Sequence, residues 1–332
     1  MPPRAEATCR SGQSGVRYPR EGVGGGPYAG GVPDSDRRWL PVVAVAVTLV
    51  LWASAFVAIR HLASDFSAGP LALGRLVVGA VALGVVALAQ GFPRPSGRDW
   101  VGLVVIGVLW FGIYNVALNQ GEHHVDAGTS VMLIQISPVM IAVLAALFLG
   151  ERFSLYLGLG LALSFTGVGL ISVAQPNGHN DLVGVLLCLL AALVYSISLV
   201  VQKPLVSRLS AVHVTWLACT IGAVSCLPFA ARLVTETQQA SGSDIWWVVY
   251  LGLFPTAIAF TTYAFALQHM SASSLGVTTY LVPPITIAMA WLFLGEVPPA
   301  MAFVGGVLTL VGVAVARRKP HAPEVIPEPA QA

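Results

Sequence analysis

Arg75 is the residue whose position most needs explaining. It stands inside the apolar run Leu71-Ala72-Leu73-Gly74-Arg75-Leu76-Val77-Val78, the one Lys or Arg of seventeen so placed. A cation in hydrocarbon costs about 2.5–3.5 kcal/mol or more, so it faces a cavity or a partner. Its planar fork suits a carboxylate, which it grips through two hydrogen bonds. Two structural readings stand beside that one. Arg75 lies only about 7 Å past the start of its run and could snorkel to the interface, or it could pair with Glu122.

Other polar and aromatic groups fall at telling intervals. Asn115, Asn119 and Glu122 share one helical face, as cavity lining or as interhelical hydrogen bonds. Trp110 and Tyr114 form an aromatic stripe beside them, and Trp52 and Tyr195 could wall a cavity by stacking or cation–π contact. Pro138 and Pro283-Pro284 interrupt two apolar runs, with Gln135, Ser137, Thr279 and Tyr280 close by. Irregular backbone at membrane depth is tolerated where it is buried in protein or lines a cavity. Of fifteen acidic residues six lie in the tails and nine in loops or at helix ends, which leaves Glu122 as the candidate proton carrier. Arg60 and Lys203 read as interface anchors. Cys9, Cys188, Cys219 and Cys226 fit no metal spacing. No metalloprotease, phosphate-loop or serine-hydrolase string occurs, so neither a metal nor a cofactor is expected.

The composition says what must position these groups. Of 332 residues 56% are hydrophobic and 10% charged, against about 25% charged in ordinary soluble domains. That excludes a soluble enzyme, a disordered chain and a nucleic-acid binder. Ten apolar runs are long enough to cross a bilayer: 40–60, 70–90, 100–120, 126–149, 154–174, 182–202, 212–233, 245–267, 272–294 and 299–316. They are continuous rather than alternating, which excludes a β-barrel. With the N-terminus in the cytoplasm, 14 Lys and Arg fall on that side and 2 on the other, so both termini are read as cytoplasmic. Residues 1–38, rich in Gly, Pro and Arg, read as a disordered tail, and 318–332 as a second.

The chain repeats itself. Leu147-Phe148-Leu149-Gly150-Glu151 recurs as Leu292-Phe293-Leu294-Gly295-Glu296, an offset of 145 that also pairs Pro138 with Pro283 and Gly167 with Gly312. Upstream, an offset of 143 pairs Trp52 with Tyr195 and Arg60 with Lys203. Residues 39–175 and 181–317 are therefore two copies of five runs each. An odd number of spans makes the second copy enter from the opposite side, giving an all-α membrane protein of ten helices in two inverted repeats. The glycines of the fifth and tenth runs read as close helix packing.

Several strings resemble the EamA-type branch of the drug/metabolite transporter superfamily. They are Leu51-Trp52-Ala53-Ser54-Ala55-Phe56, Leu73-Gly74-Arg75, Tyr114-Asn115-Val116-Ala117-Leu118, Val125-Asp126-Ala127-Gly128-Thr129-Ser130 and Ser137-Pro138-Val139, with the two Leu-Phe-Leu-Gly-Glu strings. The resemblance covers residues 40–316. It implies ten helices around a central cavity and export of small metabolites such as amino acids, or of toxic compounds. Small four-helix multidrug relatives carry a glutamate in their first helix, where this chain has Trp52 and small residues. The expectation is a secondary transporter in the inner (plasma) membrane, exporting a small polar metabolite by alternating access. Its substrate pathway would include Arg75, Trp52, Tyr114, Asn115, Asn119, Gln135, Pro138, Tyr195, Tyr280 and Pro283. Its partners would be a small-molecule substrate and the bilayer, with no nucleic acid. The alternatives are multidrug efflux of organic cations and a membrane-embedded lipid-modifying enzyme.

Overall fold

The computed structural model of the chain describes residues 39–91, 94–148, 155–173, 179–270, 275 and 278–316. The expectations for the two tails and for Glu151 fall outside the described residues. The described residues form helices and no strands. The first copy contains α1 (Leu40–Leu62), α2 (Ala68–Ala89) and α3 (Gly97–Ile106). A π-helical turn (Gly107–Ile113) then leads into α4 (Tyr114–Glu122), α5 (Ala127–Ile134), α6 (Ser137–Phe148) and α7 (Leu155–Val173). The second contains α8 (His179–Val206), α9 (Ala211–Ser225), α10 (Ala230–Gln239) and α11 (Gly242–Leu251). A second π-helical turn (Gly252–Ile258) is followed by α12 (Ala259–His269), a 3-10 turn (Thr279–Leu281), α13 (Val282–Leu294) and α14 (Ala300–Ala316).

Five stretches are long and apolar enough to cross a membrane: Leu40–Leu62, Ala68–Ala89, Gly97–Glu122, Leu182–Val206 and Gly242–His269. Burial is arranged for lipid rather than water. On α2, Val81 and Val85 are 65% and 69% exposed, whereas Arg75 is 3% exposed. Apolar side chains outside and the guanidinium inside make sense where the surrounding solvent is hydrocarbon.

The seventh run departs from expectation. Its helix is broken: α9 ends at Ser225, and Ala211–Ser225 meets Leu227–Gln239 at 51°. Pro228 sits in the intervening 3-10 turn, where it cannot donate to the helical ladder. The helix that follows carries Arg232 and Glu236, paired at 2.8 Å. Glu236 also accepts from the Ser67 N–H at 3.0 Å and from its hydroxyl at 2.6 Å, fixing the N-terminus of α2.

The copies match in structure beyond what the sequence offsets showed. Capping boxes start α3 at Ser96/Asp99 and α11 at Ser241/Asp244, 145 residues apart. The π-helical turns begin at Gly107 and Gly252, again 145 apart. Contacts at the helix ends give direction. The end of α1 bonds the end of α4, where Arg60 donates to the Glu122 carbonyl, and Gly121 there abuts Gly184 and Cys188 at the start of α8. At the opposite end of the bundle, Lys203 near the close of α8 bonds the end of α12. Thus α1 and α8 run in opposite directions.

Helices α7 and α14 meet through repeat-related residues. Ser164 Oγ donates to the Thr309 carbonyl at 3.2 Å and Thr309 Oγ1 to the Ser164 carbonyl at 3.4 Å. A Cβ on Gly167 would lie 2.4 Å from Thr309 Oγ1 and 2.5 Å from the Gly305 carbonyl, while one on Gly169 would meet nothing within 4 Å. Gly167→Ala is therefore expected to destabilise by about 1–3 kcal/mol through overpacking. Gly169→Ala is the control. Equal thermal stability of the two purified variants would show that this crossing is not the close contact described.

Candidate functional site

Two kinds of helix break surround one cavity. The first kind is proline. Pro138 and Pro283 have no N–H to offer the carbonyls four residues earlier, Ile134 and Thr279. Ser137 Oγ takes the Ile134 carbonyl at 2.5 Å. In the second copy Val282 stands where Ser137 does; its backbone N–H closes a 3-10 bond on the Thr279 carbonyl, and Gln135 Nε2 of the other copy adds a second donor at 2.6 Å. The second kind is the π-helical turn, a feature frequent at functional sites. Asn115 Nδ2 donates to the Trp110 and Phe111 carbonyls at 3.2 and 2.8 Å. Thr256 Oγ1 donates to the Leu251 carbonyl at 2.8 Å.

The second π-helical turn also holds the arginine. A Cβ on Gly252 would lie 2.8 Å from the Arg75 carbonyl, so this turn packs on the backbone of α2. That approach brings Thr256 Oγ1 to Arg75 Nε at 3.1 Å. Arg75 is buried in the bundle rather than snorkelling. The ion pairs among the described residues are Arg60–Glu296, His61–Asp244, Arg208–Asp99 and Arg232–Glu236, so Arg75 has no carboxylate partner there and does not pair with Glu122.

Arg75 faces a small central space of about 50 Å³ walled by aromatic and aliphatic side chains. Trp52 lies 4.8 Å from Tyr263 and 5.6 Å from Phe260, between ring centres. Trp110 lies 5.0 Å from Phe260 and 5.1 Å from Tyr195. The Tyr195 and Tyr263 hydroxyls meet at 3.0 Å. The indole N–H of Trp52 is buried without an acceptor. No acidic side chain is among the described residues that line this space. A buried guanidinium, a spare indole donor and aromatic walls offer the chemistry that suits a small anion or a carboxylate carrying an apolar group.

Comparison with known proteins agrees with this architecture. The sequence profile of the EamA-like transporter family matches residues 39–173 and again 182–318. The chain belongs to the EamA-like transporter family. It is 38% identical over 278 residues to a Streptantibioticus cattleyicolor protein named "Probable terminal-alkyne amino-acid exporter", covering 84% of this chain and 93% of that one. It is 32% identical to the Bacillus subtilis protein named "Uncharacterized transporter YdfC", covering 82% and 89%. A solved crystal structure shares its fold with a TM-score of 0.59 at 20% identity, over 83% of this chain and 96% of that one.

Within this EamA-like chain the residues singled out from sequence fall into separate groups. Arg75, Trp52, Tyr114, Gln135 and Tyr195 line the central space. Asn115 and Asn119 do not: Asn115 serves the π-helical turn, and Asn119 Nδ2 bonds the Ala68 carbonyl at 3.1 Å, tying α4 to the start of α2. Tyr280 and Pro283 line a groove on the side of the bundle, which shares Gln135 with the central space. Pro138 acts through the carbonyl it frees. Arg60 and Lys203 bond carbonyls at the C-terminal ends of α4 and α12.

Phe260, Tyr263 and Thr256 were missed. The 145-residue match of Gly107 with Gly252, with Pro255 just beyond, was the available signal. Thr256→Val keeps the volume and removes the acceptor for Arg75, so a loss of about 1–3 kcal/mol of stability is expected, with Thr256→Ser restoring most of it. Unchanged melting of Thr256→Val would show that Arg75 does not depend on this bond.

Proposed function

We propose that this transporter is a secondary exporter of a small α-amino acid with an apolar side chain. In this reading ten spans form two inverted five-helix halves in the plasma membrane, with both termini in the cytoplasm. The five long stretches, the bent pair and four shorter apolar helices support that count. The opposed directions of α1 and α8 support the inversion, which suits exchange of access between two faces.

The observation that carries the substrate class is Arg75, buried at the aromatic chamber without a carboxylate partner. The substrate carboxylate would supply the missing charge through two hydrogen bonds. The ammonium would rest against the faces of Trp52, Tyr114 and Tyr195, and the apolar side chain would lie among Phe56, Leu118 and Val131. The amino-acid exporter named above fits this class. Efflux of organic cations is less favoured, because such a substrate would meet the guanidinium with no acidic group in the described wall.

The test compares export by cells carrying wild type, Arg75→Ala or Arg75→Lys at equal membrane level. A terminal-alkyne amino acid such as propargylglycine, and leucine, serve as probes. Two charge-assisted hydrogen bonds are worth roughly 1.5–3 kcal/mol or more, so Arg75→Ala is expected to lower export at least about tenfold. Lysine, a point charge without the fork, should restore only part of it. Export by Arg75→Ala equal to wild type would overturn the assignment.

A further inference from the structure

The second buried ionisable group has no place in the reading above. Glu122, at the end of α4, is 0% exposed, and neither carboxyl oxygen has a hydrogen-bond partner. Arg60 comes close without serving it. Its Nη1 donates at 2.8 Å to the backbone carbonyl of Glu122, while its Nε donates at 2.9 Å to Glu296 Oε1. Other titratable groups around Glu122 are Arg75 on α2, Tyr114 on α4, Asp126 before α5 and Cys188 on α8. Asp126 is itself engaged, accepting from the Thr129 N–H and hydroxyl at 2.8 and 2.6 Å.

The other copy supplies an internal control. Lys203, the repeat mate of Arg60, donates at 2.6 Å to the carbonyl of Leu267 and at 3.1 Å to that of Met270. Leu267 is the repeat mate of Glu122 at the 145-residue offset. The same cation-on-carbonyl clamp is therefore built at the opposite end of the bundle over a leucine. The clamp does not require a carboxyl, and the carboxyl at position 122 needs another explanation.

We propose that Glu122 is a proton-binding site, neutral while Arg60 is bonded to Glu296 and ionised when Arg60 leaves Glu296 for the Glu122 carboxylate. On opening of this end the O–H bond breaks and the proton passes to water. The carboxylate then accepts from the guanidinium already seated on its own backbone. No charge is left bare at either stage of the exchange at Glu122. This rests on the transporter reading and adds the coupling ion to it.

The experiment uses the full chain in phosphatidylethanolamine/phosphatidylglycerol vesicles, with two readouts. Infrared spectra of wild type across pH should show a protonated carboxyl band that shifts with isotopically labelled glutamate, not aspartate, and is absent from Glu122→Gln and Glu122→Leu. The leucine variant copies the second half, so it should fold. With labelled propargylglycine, both variants should keep exchange across the membrane and lose accumulation driven by a pH gradient. A titrating band that persists in the variants, or pH-driven accumulation equal to wild type, would overturn the proposal. Wild type that carries no propargylglycine would count against the substrate reading, while the infrared result would still decide the proton site.

Discussion

A peptide group left without a partner in hydrocarbon costs several kcal/mol, and no water at that depth can take its place. Several interruptions of helices among the described residues are therefore answered by a side chain. Asn115 and Thr256 answer the π-helical turns, and Ser137 and Gln135 answer the carbonyls freed by proline. Arg60 and Lys203 answer the carbonyls at the ends of α4 and α12. Three of these groups do a second thing. Thr256 aims Arg75, Gln135 joins the two copies under the chamber, and Arg60 reaches Glu296. The chamber lies where the helices are broken, because that is where polar side chains have to be brought inward.

The two copies share this scaffold and differ in what they hang on it. Equivalent glycines, Gly107 and Gly252, let each π-helical turn close on the backbone of a neighbour, near Ala218 in one copy and Arg75 in the other. The packing is the same, but one neighbour is an alanine and the other carries the guanidinium. Phe111 and Thr256 occupy matched positions, and only the second can receive Arg75. Glu122 and Leu267 diverge in the same way beneath matched clamps. Matched hydroxyl residues hold helices together, as Ser164 and Thr309 do. Several of the residues that differ between the copies carry the charge and hydrogen-bond chemistry of a single asymmetric site.

The features written in composition and period were legible beforehand. Long apolar runs, the 145-residue repeat and intrahelical prolines follow from one-dimensional patterns, and Arg75 stood out because lipid makes a lone cation expensive. What escaped depends on the third dimension. A π-helical turn adds one residue to a helix without changing its hydropathy, so Trp110, Phe260 and Tyr263 could not be brought to one wall by a regular helical wheel. Asn119 shares a stripe with Glu122, yet it spends its amide on the backbone of α2. Periodicity places a side chain on a face and says nothing of the acceptor waiting there. The break in the seventh run went unread because Pro228 and the helical Arg232–Glu236 pair lie near its edge, where a hydropathy window still averages high.

The charges inside the bundle also bear on how such a carrier would cycle. Arg75 is a buried cation with no carboxylate partner among the described residues, which low dielectric penalises strongly. On the function proposed above, a bound carboxylate would remove that penalty, and the loaded molecule would pass through an occluded state more easily than the empty one. Such a device would exchange substrate readily and return empty slowly. On the proton site proposed above, an ionised Glu122 takes its counter-charge from Arg60, which is already seated on its backbone carbonyl, so Arg75 stays without one until a substrate carboxylate reaches it.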